Sequence, residues 1–321
     1  NSCLVIDPNL LGIWLAKSIR PRDILTAFGS QNATALRFSM SLERVVQPLV
    51  ACLGNPVGGN PTQFVMTKLV REAELDWRFF TSEVPPELFE TAFRGIQALG
   101  MSGAAILSPF QKSIEPFLGS ISANAKALGA VEVVKWESDQ WIGDETLSQA
   151  ICRSLVHRVS SMVNQVTTNS EESFSPHSIG VVGRPELVEA LRVSIGQIPG
   201  DYNVIEFPPG ETTPAERPVK ALIIEQIDAI MNLSPPARAR LFKDTHWATN
   251  PMAILVPPAT GWVDTNKERS LWIEELESHH IDRIDELDVL THQFAINFEF
   301  WTGYEASMES IRESLEEYLQ W

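Results

Sequence analysis

From Leu49 onward the chain alternates short apolar runs with segments of helical periodicity, and this alternation restricts the fold more than any other feature. Leu49–Leu53 reads as a strand, followed by the Gly/Pro loop G-N-P-V-G-G-N-P-T. Gln63–Ala73 then reads as a helix with Phe64, Leu69 and Val70 on its apolar stripe. Trp77–Phe80 is a second strand, and Pro85–Leu99 a helix with Leu88, Phe89, Ala92, Phe93 and Ile96 inward, stopped by Gly100. Ala104–Leu107 is the third strand and Ile114–Ala127 the next helix, with Gly129–Trp136 and Trp141–Gly143 as a strand pair. After a helix over Ile151–Val166 the pattern restarts. Ile179–Val182, Val204–Phe207, Ala221–Ile224 and Ala253–Val256 are strands, interleaved with helices Pro185–Ile195 and Ser234–Phe242. An acidic helix, Ser307–Leu319, ends the chain. Strands that alternate with helices imply a mainly parallel sheet, and 321 residues exceed one typical core. The expected class is therefore α/β with two domains.

Charge and cysteine usage narrow the function classes. A formal net charge of −16 argues against a nucleic-acid or acidic-membrane partner, and no apolar run approaches membrane-spanning length. Cys3, Cys52 and Cys152 are widely spaced in mostly apolar settings, which suits buried thiols in a reducing, cytoplasmic compartment. No His/Cys cluster has metal-ligand spacing, and His279-His280 reads as a solvated helix end, so no metal is expected. Residues 1–48 read as an N-terminal extension. Thr167–His177 is a polar surface linker and Pro208–Pro218 a proline-rich surface loop. The tryptophans, spread over distant segments, read as core and interface packing.

One stretch concentrates the chemistry. In G-A-A-I-L-S-P-F-Q-K, Gly103–Lys112, a short buried strand runs into a Ser-Pro-Phe turn, which places side chains at the lip of a cleft. The groups at that lip are the Gln111 amide and the Lys112 ammonium. On adjacent residues of extended chain they would point to opposite faces, so Lys112 reads as a solvated lysine.

The motifs G-N-P-V-G-G-N-P-T, E-L-D-W-R-F-F, G-A-A-I-L-S-P-F-Q, A-K-A-L-G-A-V-E-V-V and I-G-D-E-T-L-S stand in the order and spacing of shikimate dehydrogenases, which this span resembles. The run L-D-V-L-T-H-Q-F-A-I-N-F-E-F-W-T-G, Leu287–Gly303, is similar to that family's closing segment. A shorter run, Ile24–Ala33, is faintly similar to the C-terminal part of type I dehydroquinate dehydratases and carries no catalytic group. The main resemblance implies a mixed, mainly parallel three-layer substrate-type domain over residues 49–150, completed by 285–321. It also implies a Rossmann-like dinucleotide-type domain over residues 151–284. It further implies NADPH-dependent reduction of a ring ketone, with a lysine and an aspartate at the reacting oxygen.

Carried over residue by residue, the family's substrate-carboxylate serines fall on Asn60 and Thr62. Its Asn-Val-Thr strand falls on Ala105, Ile106 and Leu107, and its lysine on Gln111. The asparagine after Gly-Ala-Val falls on Glu132, and Asn-Thr-Asp-Gly falls on Glu145, Thr146, Leu147 and Ser148. The closing glutamine is kept as Gln293. The resemblance thus places substrate-binding positions at Asn60, Thr62, Glu132, Glu145 and Gln293. It leaves the proton-transfer positions to Gln111 and Leu147, neither of which can give up a proton near neutral pH. Lost hydroxyl partners at Ala105 and Leu107 would each cost a bound ligand about 1–3 kcal/mol.

The dinucleotide turn is depleted in the same way. It reads V-V-G-R-P-E-L-V, with Gly183 as its one glycine and Arg184 as its one cation, while Glu186 would repel a phosphate. A plain strand-to-helix turn with Pro185 at the first helical position explains the same residues. NADP is therefore implied by the family but expected to be unbound.

The reading that follows is a shikimate-dehydrogenase-like protein without the chemistry, binding a small polar hydroxy acid or acting in regulation. One alternative is an active dehydrogenase using Lys112 in a rearranged site. Another is a scaffolding module of a larger shikimate-pathway chain; the partners expected are a second copy in a homodimer or that larger chain.

Overall fold

A computed structural model describes residues 47–165, 177–198, 201–207, 218–256 and 267–320. The expectations for Ile24–Ala33, Cys3, most of Thr167–His177 and most of Pro208–Pro218 lie outside the described residues. Two sheets, each covered by helices on both faces, make up the unit Pro48–Trp321. The class is mixed α/β and mainly parallel, with a Rossmann-like second lobe.

The first lobe runs β1 (Leu49–Gly54), α1 (Thr62–Glu72), β2 (Arg78–Glu83), α2 (Phe89–Ala98), β3 (Gly103–Ile106), β4 (Ser120–Ile121), α3 (Ala123–Leu128), β5 (Val133–Glu137) and β6 (Gln140–Asp144). Its sheet order is β2-β1-β3-β5-β6-β4. Strands β1, β2 and β3 are parallel, and β5 is antiparallel to both β3 and β6. Side chains alternate across β1 as a pleated strand requires: Val50 and Cys52 face one core, Ala51 and Leu53 the other. The second core is aromatic, with Phe89 stacked on Phe110 at 4.2 Å and Phe93 against Trp141 at 5.2 Å.

The second lobe begins after α4 (Leu147–Gln165) with β7 (His177–Val182), α5 (Pro185–Ile195), β8 (Tyr202–Glu206) and β9 (Val219–Glu225). It continues through α6 (Asp228–Met231), α7 (Pro235–Lys243), β10 (Trp247–Val256), α8 (Lys267–Ser278) and β11 (Asp282–Ile284). Every pairing in this sheet is parallel, in the order β11-β10-β9-β7-β8. Two last helices, α9 (Glu286–Thr302) and α10 (Met308–Leu319), return to the first lobe. Helix α9 is shared: Leu287, Phe294 and Phe298 pack in the core of β1, while Val289 and Ile296 pack in the core of β7.

Gly103 shows why one residue type is needed at the centre of the first sheet. A Cβ there would lie 2.6 Å from the Val134 carbonyl and 2.7 Å from the Trp301 ring. With none, the Trp301 indole lies over β3 and donates to that carbonyl at 3.0 Å, holding α9 on the sheet.

Four local expectations need correction. The helix expected over Ile114–Ala127 is broken into a 3₁₀ turn at Glu115–Phe117, the short β4 and α3, because Pro116 and Gly119 interrupt it and Ser122 caps a new start. The segment Pro85–Leu99 opens with a 3₁₀ turn at Pro86–Leu88, so Leu88 is 50% exposed rather than inward. The strand expected at Ala253–Val256 begins at Trp247, with a register shift between Trp247 and Met252 around Pro251. Finally, the chain after Ile106 is coiled rather than extended: Phe110 N–H donates to the Leu107 carbonyl and Ile114 N–H to the Phe110 carbonyl. Gln111 and Lys112 therefore lie on a turn rather than on opposite faces of an extended strand; Lys112 is exposed and Gln111 half-buried.

Ser122 accepts from Ala125 N–H at 3.0 Å as the cap of α3. Ser122→Ala is expected to lower stability by about 1 kcal/mol, read as a lower urea midpoint at unchanged slope.

Candidate functional site

The start of α4 gathers the polar groups of the site. Glu132 lies just before β5, and one oxygen of its carboxylate, Oε2, collects four donors. These are Thr146 N–H at 3.0 Å, Thr146 Oγ1 at 3.1 Å, Leu147 N–H at 3.0 Å and the Gln293 amide at 3.1 Å. Glu145 reaches the next amide of the same turn: Ser148 N–H donates to Oε1 at 2.6 Å and Ser148 Oγ to Oε2 at 2.5 Å. Two carboxylates thus cap one helix N-terminus, where exposed amides and the helix dipole favour negative charge. Every partner of the pair is neutral, and burial raises the pKa of both. Glu145 reaches about 8, with the Glu132 charge as the second cause after burial.

Asn60 and Thr62 are turned to structural use. The Asn60 amide oxygen accepts from Thr62 N–H at 3.0 Å, and the Cys52 thiol points to the same oxygen at 3.7 Å. Thr62 is buried beside Cys52, whose thiol burial pushes up to about 12. Leu107 closes over Gly54, where a Cβ would lie 2.9 Å from its own.

In the second lobe the strand order reverses at β7, with β8 on one side and β9 on the other. Ligands of open α/β sheets bind in the crevice at such a switch point, beyond the carboxyl ends of the strands. Here that crevice holds the chain's own anion. The Glu225 carboxylate, at the end of β9, accepts from Arg184 N–H at 2.7 Å and from its guanidinium at 2.8 and 2.6 Å. Pro185 has no N–H, and Leu187 N–H donates back to the Arg184 carbonyl at 3.0 Å.

Residues 52–134 match the family model described as the shikimate dehydrogenase substrate binding domain. The NADP(+)-dependent shikimate dehydrogenase of Bacillus subtilis is 24% identical over 279 residues, covering 83% of this chain and 96% of that enzyme. The chain is similar to the shikimate dehydrogenase family over most of its length. Among solved structures, the shikimate 5-dehydrogenase of Thermus thermophilus in complex with NADP(H) and shikimate superposes with a TM-score of 0.59 at 15% identity. That match covers 85% of this chain and 100% of the other. An Ael1 enzyme from Pseudomonas putida reaches 0.63 at 12% identity, over 84% and 98% of the two chains. Both likenesses speak for the fold.

Set against the shikimate dehydrogenase pattern, Glu132, Glu145, Thr146, Leu147 and Gln293 meet at the start of α4, and Asn60 and Thr62 meet on the loop before α1. Gln111 lies on the turn after β3, where its carbonyl accepts from Val131 N–H at 2.8 Å. Gln293, a substrate-binding position by resemblance only, is engaged by Glu132 and Thr146. Leu147 packs on the second lobe's core.

The residues at the switch point do not fit the family's dinucleotide. A pyrophosphate needs open backbone amides at the helix N-terminus. The Arg184 amide and guanidinium are committed to Glu225, which is 6% exposed, and the exposed Glu186 adds a second negative charge. Gly183 supplies no cradle, since a Cβ on it would already lie 3.2 Å from the Glu225 carboxylate. Among the described residues no group of three metal-ligating side chains occurs, and no helix is long and apolar enough to cross a membrane.

Glu225 was not identifiable as a site residue from the resemblance. Its signal is present all the same: a carboxylate ending the buried run V-K-A-L-I-I-E needs a partner, and the neighbouring parallel strand β7 ends at Val182, two residues before Arg184.

Proposed function

We propose that this protein keeps the two-domain architecture of a shikimate dehydrogenase without its hydride-transfer chemistry. It acts instead as a ligand-binding or regulatory homologue for a small polar hydroxy acid. The observation that carries this reading is the engagement of the site by its own side chains. Gln111 and Leu147 stand where proton transfer is needed, and the donors at the start of α4 end on Glu132. A glutamine amide and a leucine cannot act as general acid or base. NADP is not bound, because a pyrophosphate would have to displace Glu225 from a charge-assisted pair. Lys112 stands exposed on its turn and gives the rearranged-site alternative no support. Buried free thiols at Cys52 and Cys152 suit a reducing cytoplasm.

The test is an assay of the purified protein with shikimate and quinate against NAD and NADP, paired with a fluorescence titration of NADPH. No turnover and no saturable cofactor signal are expected. Turnover above about 1 s⁻¹, the low end for ordinary enzymes, would overturn the reading.

A further inference from the structure

The start of α4 is also where the two lobes are sewn together. Ser148 Oγ lies 2.8 Å from Ser194 Oγ on α5, and the Asn124 amide on α3 donates to both hydroxyls. Gln197, just past α5, donates to the Asn124 side-chain amide oxygen at 3.3 Å. Asn124, Ser148 and Ser194 are each at most 3% exposed. Hydrogens can be placed along this seam in one consistent direction. Ser194 donates to Ser148, and Ser148 donates to Glu145, so that each hydroxyl has an acceptor. Glu145 is therefore the acceptor end of a buried chain that joins α3, α4 and α5. Glu132, on the adjacent amides of the same turn, joins α4 to Gln293 on α9.

We propose that Glu132 and Glu145 form a proton-sharing carboxyl pair that makes the seam between the lobes sensitive to pH. Two carboxylates on adjacent amides of one buried turn, with only neutral partners, cannot both ionise without mutual repulsion. One shared proton relieves it. The other titratable group acting on Glu145 is Asp144 at the end of β6; Cys152 on α4, whose thiol burial and Glu145 push up to about 12, stays neutral beside it. Neither is a cation. From α3 and α5 the pair meets neutral side chains; Lys126 on α3 is exposed, and Arg192 on α5 is paired with Glu189. On α9, His292 packs against His157 of α4, and its pKa is lowered to about 4 by burial, His157 and Arg153, so it is neutral across the relevant range.

The sign follows from linkage. Both acids bind protons more tightly in the folded than in the unfolded chain. The folded chain therefore holds more protons between the ordinary carboxylate range near 4.5 and about 8, and stability falls as pH rises through that window. Thermal midpoints of the full chain and of Glu145→Gln are to be compared from pH 5 to pH 8.5. The expected result is that the variant loses part of the downward slope and gains on the parent steadily with pH, melting higher at pH 8. Equal slopes for both proteins would overturn the proposal. Infrared difference spectra of the unmodified protein give a readout that does not depend on the variant folding. A protonated-carboxyl band is expected at pH 7 and should fade toward pH 9. Its absence at pH 7 would overturn the proposal just as directly. Neither readout involves a ligand or cofactor, so failure here leaves the proposed function standing.

Discussion

Glu286→Ala is expected to cost about 3–5 kcal/mol of folding free energy, read as a lower denaturant midpoint. Glu286 is 1% exposed at the first turn of α9, and its carboxylate is held from three sides. Arg269 from α8 donates to both oxygens, Arg283 from β11 approaches Oε2 at 3.4 Å, and the Gln226 amide donates to Oε1 at 3.1 Å. Truncation would leave the Arg269 guanidinium, 24% exposed, without the anion that compensates its burial. Because α9 serves the cores of both lobes, the damage should spread beyond one lobe. Loss of a single cooperative transition for the whole chain is the accompanying sign. Glu286→Gln, which keeps the shape but not the charge, should cost most of the same amount. A small loss for Glu286→Gln beside a large one for Glu286→Ala would mean that packing, rather than charge, is what Glu286 contributes.

The same cluster illustrates what a sequence of this kind reveals and what it hides. Strands and helices with a clear period were legible: Pro185–Ile195 is a helix over the residues expected, and β1, β7 and β9 lie where their apolar runs place them. Elements governed by one or two breaking residues were not. Pro116 and Gly119 split a helix that the apolar positions alone would have joined, and Pro86 turned the entry to α2 enough to expose Leu88. At the start of α4, the resemblance pointed to Glu132, Glu145 and Gln293 but said nothing of their bonding. Which donor meets which carboxylate depends on pairs far apart in sequence, Glu132 with Gln293 and Arg184 with Glu225 among them. A substitution from asparagine to glutamate reads as added charge in a ligand site. In the folded chain it is also a helix cap, and the difference lies in where the start of α4 happens to fall.

That distinction sets the outcome of introducing a lysine and an aspartate where the resemblance puts proton transfer. Gln111→Lys with Leu147→Asp is expected to yield no dehydrogenase: turnover of shikimate with NADP should stay at least about 100-fold below the ~1 s⁻¹ at which ordinary enzymes begin. The new ammonium would stand on the turn after β3, within reach of solvent, and the new aspartate would enter a turn already holding two carboxylates. Three acids on one helix end raise one another's pKa, so the added group would not serve as the fixed anion that a proton relay needs. Leu147 also gives up its packing on the second lobe's core, worth about 1.5–3 kcal/mol for a leucine that is fully buried and less for one partly so. Hydride transfer would still lack its donor while Glu225 remains on Arg184. Adding Glu132→Asn and Glu225→Gly separates these causes. The first removes one of the two caps and frees the Gln293 amide, and the second uncovers the Arg184 amide. If activity emerges from the double variant alone, then self-occupation of the two crevices does not block turnover, and the two added groups are sufficient by themselves.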